Sequence, residues 1–353
     1  NYDTAIQKAQ KILDEYPGHG LTDDALFLQA KAWHRLEGYR MSIRKFDLLF
    51  LNFPATEYLE EALYLQGLNY LLIDSVDRSQ EFLDRLARKF PDSEYQAETL
   101  KVSGDNAFAL EQWEEAAAAY RRYLAEDPGE DERDRIALKL AQCLWELEDY
   151  GGAAEALQEL GDQASSAEVG FRARLLRARV HVRIGDHELA ESLLAALAAE
   201  ADVYQARGEV RLIESENLIA QGRGDEATPL LENMPPEWAT PAVKAQARDM
   251  LGYLYLERGD WEEARTAFAD ALRQRTVLED PERTRRLHDN LRDFMSADQA
   301  LVDAKGADVP ELKLLKANSL LFGFDRPRAA ATFYREAATV TAAVATVAAR
   351  SLY

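Results

Sequence analysis

The residues able to do chemistry in this chain are few and scattered. It holds five histidines, His19, His34, His181, His187 and His288, and one cysteine, Cys143. A helix offers two histidines to one metal when they stand about one turn apart on the same face, and no pair here has that spacing. A lone cysteine forms neither an internal disulfide nor a cysteine-based metal site; Cys143 lies in a helical stretch and reads as a small core residue. There is no phosphate-cradling glycine loop and no serine nucleophile elbow. The run Glu130-Asp131-Glu132 could gather a cation, but it follows Pro128, where acids near a helix N-terminus are favoured by the dipole, so it reads as a solvated loop and helix start. Arg223-Gly224-Asp225 spells an adhesion tripeptide in a turn where Gly and Asp are wanted anyway. No catalytic residue, metal or cofactor is expected.

The elements that carry these residues follow from composition and spacing. Of 353 residues, 47% are hydrophobic and 30% charged, with abundant Ala, Leu, Glu and Arg and few β-branched runs, as in chains built from amphipathic helices. Almost no sheet is expected. The pairs Tyr16-Pro17, Phe53-Pro54, Phe90-Pro91 and Asp127-Pro128 recur every 37 residues. So does a column of mostly large residues, Tyr2, Tyr39, Val76, Trp113, Tyr150, His187, Gly224 and Trp261. Three residues on stands a column of small ones: Ala5, Ser42, Ser79, Ala116, Ala153, Ala190, Ala227 and Ala264. Small side chains let two helix backbones approach where they cross. Four residues further the same face carries bulk, in Ala9, Phe46, Leu83, Tyr120, Leu157, Leu194, Leu231 and Phe268, completing an apolar helical stripe. The prolines then end the helix.

First helices such as Leu59 to Ile73 and Thr240 to Glu257 precede these second helices. Turns such as Gly185-Asp186, Gly222-Arg223-Gly224 and Gly259-Asp260 join the two, with glycine supplying a left-handed residue. A helical hairpin of this kind cannot bury its stripe alone, and stacking neighbours does so. The expected fold is all-α, a right-handed α-solenoid of antiparallel helix pairs.

The columns resemble the tetratricopeptide repeat: Gly67, Tyr70, Ser79, Leu83 and Pro91; Gly104, Trp113, Ala116, Tyr120 and Pro128; Gly252, Tyr255, Trp261, Ala264, Phe268 and Ala271. Ala30 and Ala141 depart from it where Gly is usual, and the step is 37 rather than 34 because of longer loops such as Pro54-Ala55-Thr56-Glu57 and Pro91-Asp92-Ser93-Glu94. Those loops, written aromatic-Pro-x-Ser/Thr-x-Tyr, resemble the tetratricopeptide lipoproteins and periplasmic adaptors of the bacterial cell envelope. That resemblance implies a periplasmic setting, with outer-membrane anchoring among the possibilities and a cytoplasmic one left open. Regular repeats are expected over residues 1–275, an irregular helical unit over 276–309 with a long charged helix from Pro281 to Lys305, and a last repeat-like unit over 310–353. There Ala329 and Phe333 bring back the small and bulky columns, and Tyr353 falls within a further helix.

The resemblance implies that the first helices line a concave groove where a peptide or partner helix docks. The candidate partner-binding residues are Tyr64, Leu68, Leu71, Lys101, Phe108, Leu138, Trp145, Arg172, Arg179, Arg183 and Tyr253, with Leu256 beside them. One column, His34, Leu71, Phe108, Trp145, Val182, Ile219 and Leu256, repeats at 37. For Val182, Ile219 and Leu256 a core position is an equal alternative, whereas Phe108 and Trp145 are expected to be exposed. Arg172, Arg179 and Arg183 share one helical face and make either a patch for an acidic segment or a set of arginines paired with nearby glutamates.

The formal net charge of −21 argues against nucleic acid as partner, which needs a basic face; it fits either a high-GC or salt-adapted source or a cationic partner. No run approaches the ~20 apolar residues that span a bilayer. Asn1 opens on a helix without its partner, which predicts a natural N-terminus further upstream, so membrane association is expected only through an anchor there or through a partner. The expected function is a scaffold binding other proteins in its groove. The alternative is a permanent structural subunit of a large assembly, using its convex face and ends.

Overall fold

The computed structural model describes residues 2–16, 18–203, 205–305 and 308–350, and all regular elements among them are helices. The chain divides between Ile184 and Gly185 into two compact units. The first contains α1 (Tyr2–Glu15), α2 (Thr22–Arg35), α3 (Tyr39–Asn52), α4 (Leu59–Leu72), α5 (Val76–Lys89), α6 (Gln96–Ala109), α7 (Trp113–Ala125), α8 (Glu130–Glu146), α9 (Tyr150–Gln163) and α10 (Ala167–Ile184). The second contains α11 (His187–Glu200), α12 (Arg207–Ala220), α13 (Gly224–Glu232), α14 (Pro241–Arg258), α15 (Trp261–Ala271), α16 (Pro281–Asp303), α17 (Asp308–Asn318) and α18 (Pro327–Arg350). Within each unit, helices adjacent in sequence pack on one another, as in an all-α solenoid.

The small column is the crossing point. Ser42, Ser79, Ala116, Ala153, Ala190, Ala227 and Ala264 are all fully buried; Ala5, on α1, is half-buried. The bulky column is buried as well, from Phe46 and Leu83 to Phe268. Its residues press on the glycines of the first helices: a methyl group at Gly104 would stand 2.6 Å from the Tyr120 ring, and one at Gly252 2.4 Å from Phe268. These glycines are close-approach points between helices. Pro54 and Pro91 follow α3 and α5 after a non-helical Phe53 and Phe90, since the residue preceding a proline is kept out of the helical region. Pro17 and Tyr353 lie outside the described residues.

Seven turns between successive helices use a left-handed residue, at Glu37, Asp74, Glu111, Glu148, Gly185, Gly222 and Gly259, with φ between 58° and 88°. These positions are again 37 apart, although only three carry the glycine that marks them in the sequence. The turn closes as a Schellman motif. The amide that follows the left-handed residue donates back to the last helical turn, as in Gly38 to Trp33, Ser75 to Tyr70, Gln112 to Ala107, Asp149 to Leu144 and Asp260 to Tyr255, at 2.8–2.9 Å.

The regular pattern ends at α16, which runs 23 residues without a turn. The last hairpin pairs α17 with α18, a single helix from Pro327 to Arg350. Here the small residue at the crossing is Ala330, fully buried, and not Ala329, which is exposed. The step from Ala264 is therefore one residue longer than the spacing suggests. A π-helical turn, Ser319–Gly323, inserts the extra residue ahead of the left-handed Asp325 (φ 52°). Phe333 is half-buried against the core formed by Leu256, Phe268, Leu291, Phe294, Leu320 and Phe324.

Candidate interaction face

In the first unit the candidate residues lie on α4, α6, α8 and α10, and most are half-buried. Tyr64 stacks on Tyr95 with centroids 4.7 Å apart and planes within 16°, and burial pushes its phenol upward. Phe27 stacks on Tyr58 in the same way at 4.3 Å. Each tyrosine comes from an aromatic-Pro-x-Ser/Thr-x-Tyr loop, in which its own amide is held by Thr56 or Ser93 Oγ at 3.4 and 3.1 Å. That loop motif thus builds the contact between one repeat and the next. Leu68 and Leu138 pack at the edges of two separate apolar clusters, and Leu71 is half-buried.

Thirty-seven residues beyond Tyr64 and Tyr95 the stacked pair is replaced by an ion pair, Lys101 with Glu132. Its hydrogen bond raises the Lys101 ammonium above its ordinary value. Glu132 also lies 3.7 Å from Arg135, so this member of the acidic run is a partner in the repeat interface and not merely a solvated helix start. Asp105 accepts from Lys139 at 2.6 Å and from Tyr120 at 2.8 Å, and Lys31 meets Glu61 at 2.6 Å. Ion pairs thus cross-link α2 to α4 and α6 to α8. Asp105, Glu132 and Lys139 escape a search for clustered motifs because each partner lies about one repeat away, 31 residues for Lys101–Glu132 and 34 for Asp105–Lys139.

Phe108 and Trp145 are half-buried and not freely exposed as expected. Phe108 meets Trp113 edge-on at 5.3 Å, and Trp145 meets Tyr150 at 5.2 Å. His34 and Tyr39 repeat the relationship at 5.8 Å, because the left-handed turn between them brings residues five apart face to face. Arg179 and Arg183 of α10 both lie over the Trp145 indole, at 5.1 and 5.5 Å from its centroid. Arg172, on the same helix, is half-buried. Val182 and Leu256 are buried and Ile219 half-buried, which makes the first two core residues. Tyr253 belongs to the second unit, where it packs edge-on against Phe268 at 5.2 Å beneath the Arg283 guanidinium.

A further row is visible only in the structure. Leu36, Ile73, Leu110, Leu147 and Ile184 stand at the C-terminal boundary of each first helix in this unit, again 37 apart; Leu36, Leu110 and Ile184 are 39%, 41% and 50% exposed, and Ile73 and Leu147 are half-buried. An apolar side chain left in solvent at every second step is a surface suited to another protein.

The histidines are engaged elsewhere: His34 Nδ1 lies 2.7 Å from Asn69 Oδ1, and His187 Nδ1 2.8 Å from Asn217 Oδ1. Burial pushes the Cys143 thiol up to about 11, which removes thiolate character at neutral pH. In the Arg-Gly-Asp turn, Arg223 pairs with Glu226 and Glu191, and Asp225 with Arg258. Among the described residues no helix is long and apolar enough to cross a membrane.

Three tetratricopeptide repeat families match the chain, over residues 61–93, 102–168 and, as the tetratricopeptide repeat-like domain, 146–289. No curated protein matches it. Among solved structures it is similar to a tetratricopeptide repeat protein from Parabacteroides merdae ATCC 43184, at 16% identity over 71% of this chain and 93% of that one, with a TM-score of 0.51. It is also similar to a Rap protein complexed with Competence and Sporulation Factor, at 13% identity over 92% and 99%, TM-score 0.52, and to the apo form of RapI, at 11% identity over 92% and 99%, TM-score 0.50. At such identities the likeness is one of fold. The repeat matches, which together span residues 61–93 and 102–289, and the buried 37-residue columns show that the chain belongs to the tetratricopeptide-repeat family.

Proposed function

We propose that this scaffold for protein–protein interaction receives a segment of a partner protein along the first-helix face of its first unit, across α4, α6, α8 and α10. The observation that carries the reading is the row of Leu36, just past α2, Leu110 and Ile184, exposed at every second repeat, beside half-buried Leu71, Phe108 and Trp145. Apolar side chains of a partner could lie along this row while its polar groups meet the charged pairs at Lys101 and Lys139. The Rap protein of similar fold was solved with a separate factor bound, which is in keeping with a binding role. A bacterial cell-envelope complex is the proposed setting, on the strength of the aromatic-Pro-x-Ser/Thr-x-Tyr loops; fractionation of cells carrying the natural full-length protein tests it.

The face is tested by affinity capture from native membranes and soluble extract, followed by mass spectrometry, comparing this chain with a Phe108→Ala/Trp145→Ala/Arg179→Glu variant of unchanged circular dichroism. Loss of a defined partner supports the first-helix face. Retention of the same partners overturns it and favours the alternative, a permanent structural subunit, for which Leu314 and Leu315 of α17, 41% and 42% exposed, offer an apolar surface.

A further inference from the structure

The other side of the first unit carries a second feature. Between α5 and α7, over α6, lies a groove of 490 Å³ walled by Leu83, Leu86, Leu100, Ala87, Ala107 and Ala119. That volume falls in the range of sites that take a small ligand or a side chain.

The origin of the space can be read from the repeat. One step earlier, between α3 and α5 over α4, Phe82 is stacked between Phe50 at 5.8 Å and Tyr70 at 5.5 Å, with planes within 25° and 15°. Adding 37 to Phe50, Tyr70 and Phe82 gives Ala87, Ala107 and Ala119. Three aromatic rings that fill one groove are thus replaced, position for position, by three methyl groups in the next. One step further the positions are Leu124, Leu144 and Ala156; Leu144 is buried, and the space lined by Leu124 and Ala156 falls to 220 Å³.

Among the charged residues that line the α6 groove, Asp84 and Glu115 stand against the single cation Arg122, a net negative lining on a chain of net charge −21.

We propose that this groove is a preformed receptor for the aromatic side chain of a partner protein, with phenylalanine as the fitting ring and a basic residue beside it. The ring takes the place that Phe82 holds in the preceding groove. The basic neighbour meets Asp84 and Glu115. The site is separate from the first-helix face and does not depend on it.

The test uses the full chain and acetyl-lysyl-phenylalanine amide as probe, read by amide chemical shifts in NMR. Saturable shifts at Thr99, Ala107 and Ala119 are expected, with affinity several-fold higher than for acetyl-lysyl-alanine amide and for acetyl-glutamyl-phenylalanine amide. Ala119→Phe reproduces the residue of the preceding repeat and should abolish binding while raising Tm. The Phe108→Ala/Trp145→Ala/Arg179→Glu variant should bind the probe as the parent does, so failure here and failure of the first-helix face are distinguishable. The proposal is overturned by the absence of saturable shifts at those three amides, by binding that survives Ala119→Phe, or by toluene alone binding as tightly as the dipeptide, which would make the groove a small-molecule pocket.

Discussion

Arg326 donates its guanidinium to the backbone carbonyl of Leu256, seventy residues earlier, and to that of Glu257 beside it. The Leu256 carbonyl also accepts from the Gly259 amide at 3.2 Å, and a cation at the C-terminal end of α14 complements the helix dipole. The same guanidinium lies 5.2 Å from the Trp261 centroid. One side chain thus ties the final hairpin to α14 across the irregular α16. Arg326→Ala should lower the stability of the second unit by about 1.5–3 kcal/mol, the range for charge-assisted hydrogen bonds, and hydrogen exchange near the C-terminal end of α14 should accelerate. Unchanged exchange there would mean the contact contributes nothing.

The Gly252–Phe268 approach predicts a second effect. Alanine is the better helix former by about 1 kcal/mol, yet its methyl group would meet the Phe268 ring at 2.4 Å. Gly252→Ala should therefore destabilise the chain on balance, by about 1–3 kcal/mol, as overpacking does. Gly252→Ala/Phe268→Leu should recover much of the loss, since Ala141 and Leu157 occupy the equivalent positions and both are fully buried. Urea denaturation of the two variants checks the pair.

Glu111 sits at φ 58° on the exposed turn between α6 and α7. A side chain in the left-handed region costs about 1–2 kcal/mol, partly offset by the greater freedom glycine has in the unfolded chain. Glu111→Gly should raise stability by about 0.5–1 kcal/mol, and Gly259→Glu, at φ 88°, should lower it. Thermal unfolding of both variants should move in opposite directions.

Asp249, on α14, is largely buried and accepts from Thr284 Oγ1 at 2.7 Å. Burial is the main cause that pushes its carboxyl up to about 6; Glu279 and Asp280 add to the rise, and Arg283 and the Thr284 bond oppose it. The folded state therefore holds a proton that the unfolded chain has already lost between about pH 4 and 6. Its contribution to stability falls as pH rises through that window. Asp249→Asn should flatten this part of the stability–pH curve and gain most, relative to the parent, above pH 6; parallel curves for the two proteins would show that the carboxyl titrates normally.

What the sequence determined by itself was the repeat. Helical periodicity, a small residue where two backbones cross and a proline after the second helix are local requirements, so the hairpins were legible from Ser42, Phe46 and Pro54 onward without any knowledge of neighbours. The left-handed turn was legible at Gly185, Gly222 and Gly259 but not at Glu37, Glu111 or Glu148, where the closing Schellman bonds hold the same geometry without glycine.

Tertiary structure decided everything that depends on the next repeat. Lys101 meets Glu132, Arg179 and Arg183 cover Trp145, and Phe82 fills a groove that Ala119 leaves open; each partner lies about 30 to 40 residues away. The same long-range packing half-buried Phe108 and Trp145. It also moved the last crossing from Ala329 to Ala330, because a π-turn changes the residue count without changing the apolar pattern. A column read along one helix tells which residues share a face, but what covers that face is chosen by the side chains one repeat on.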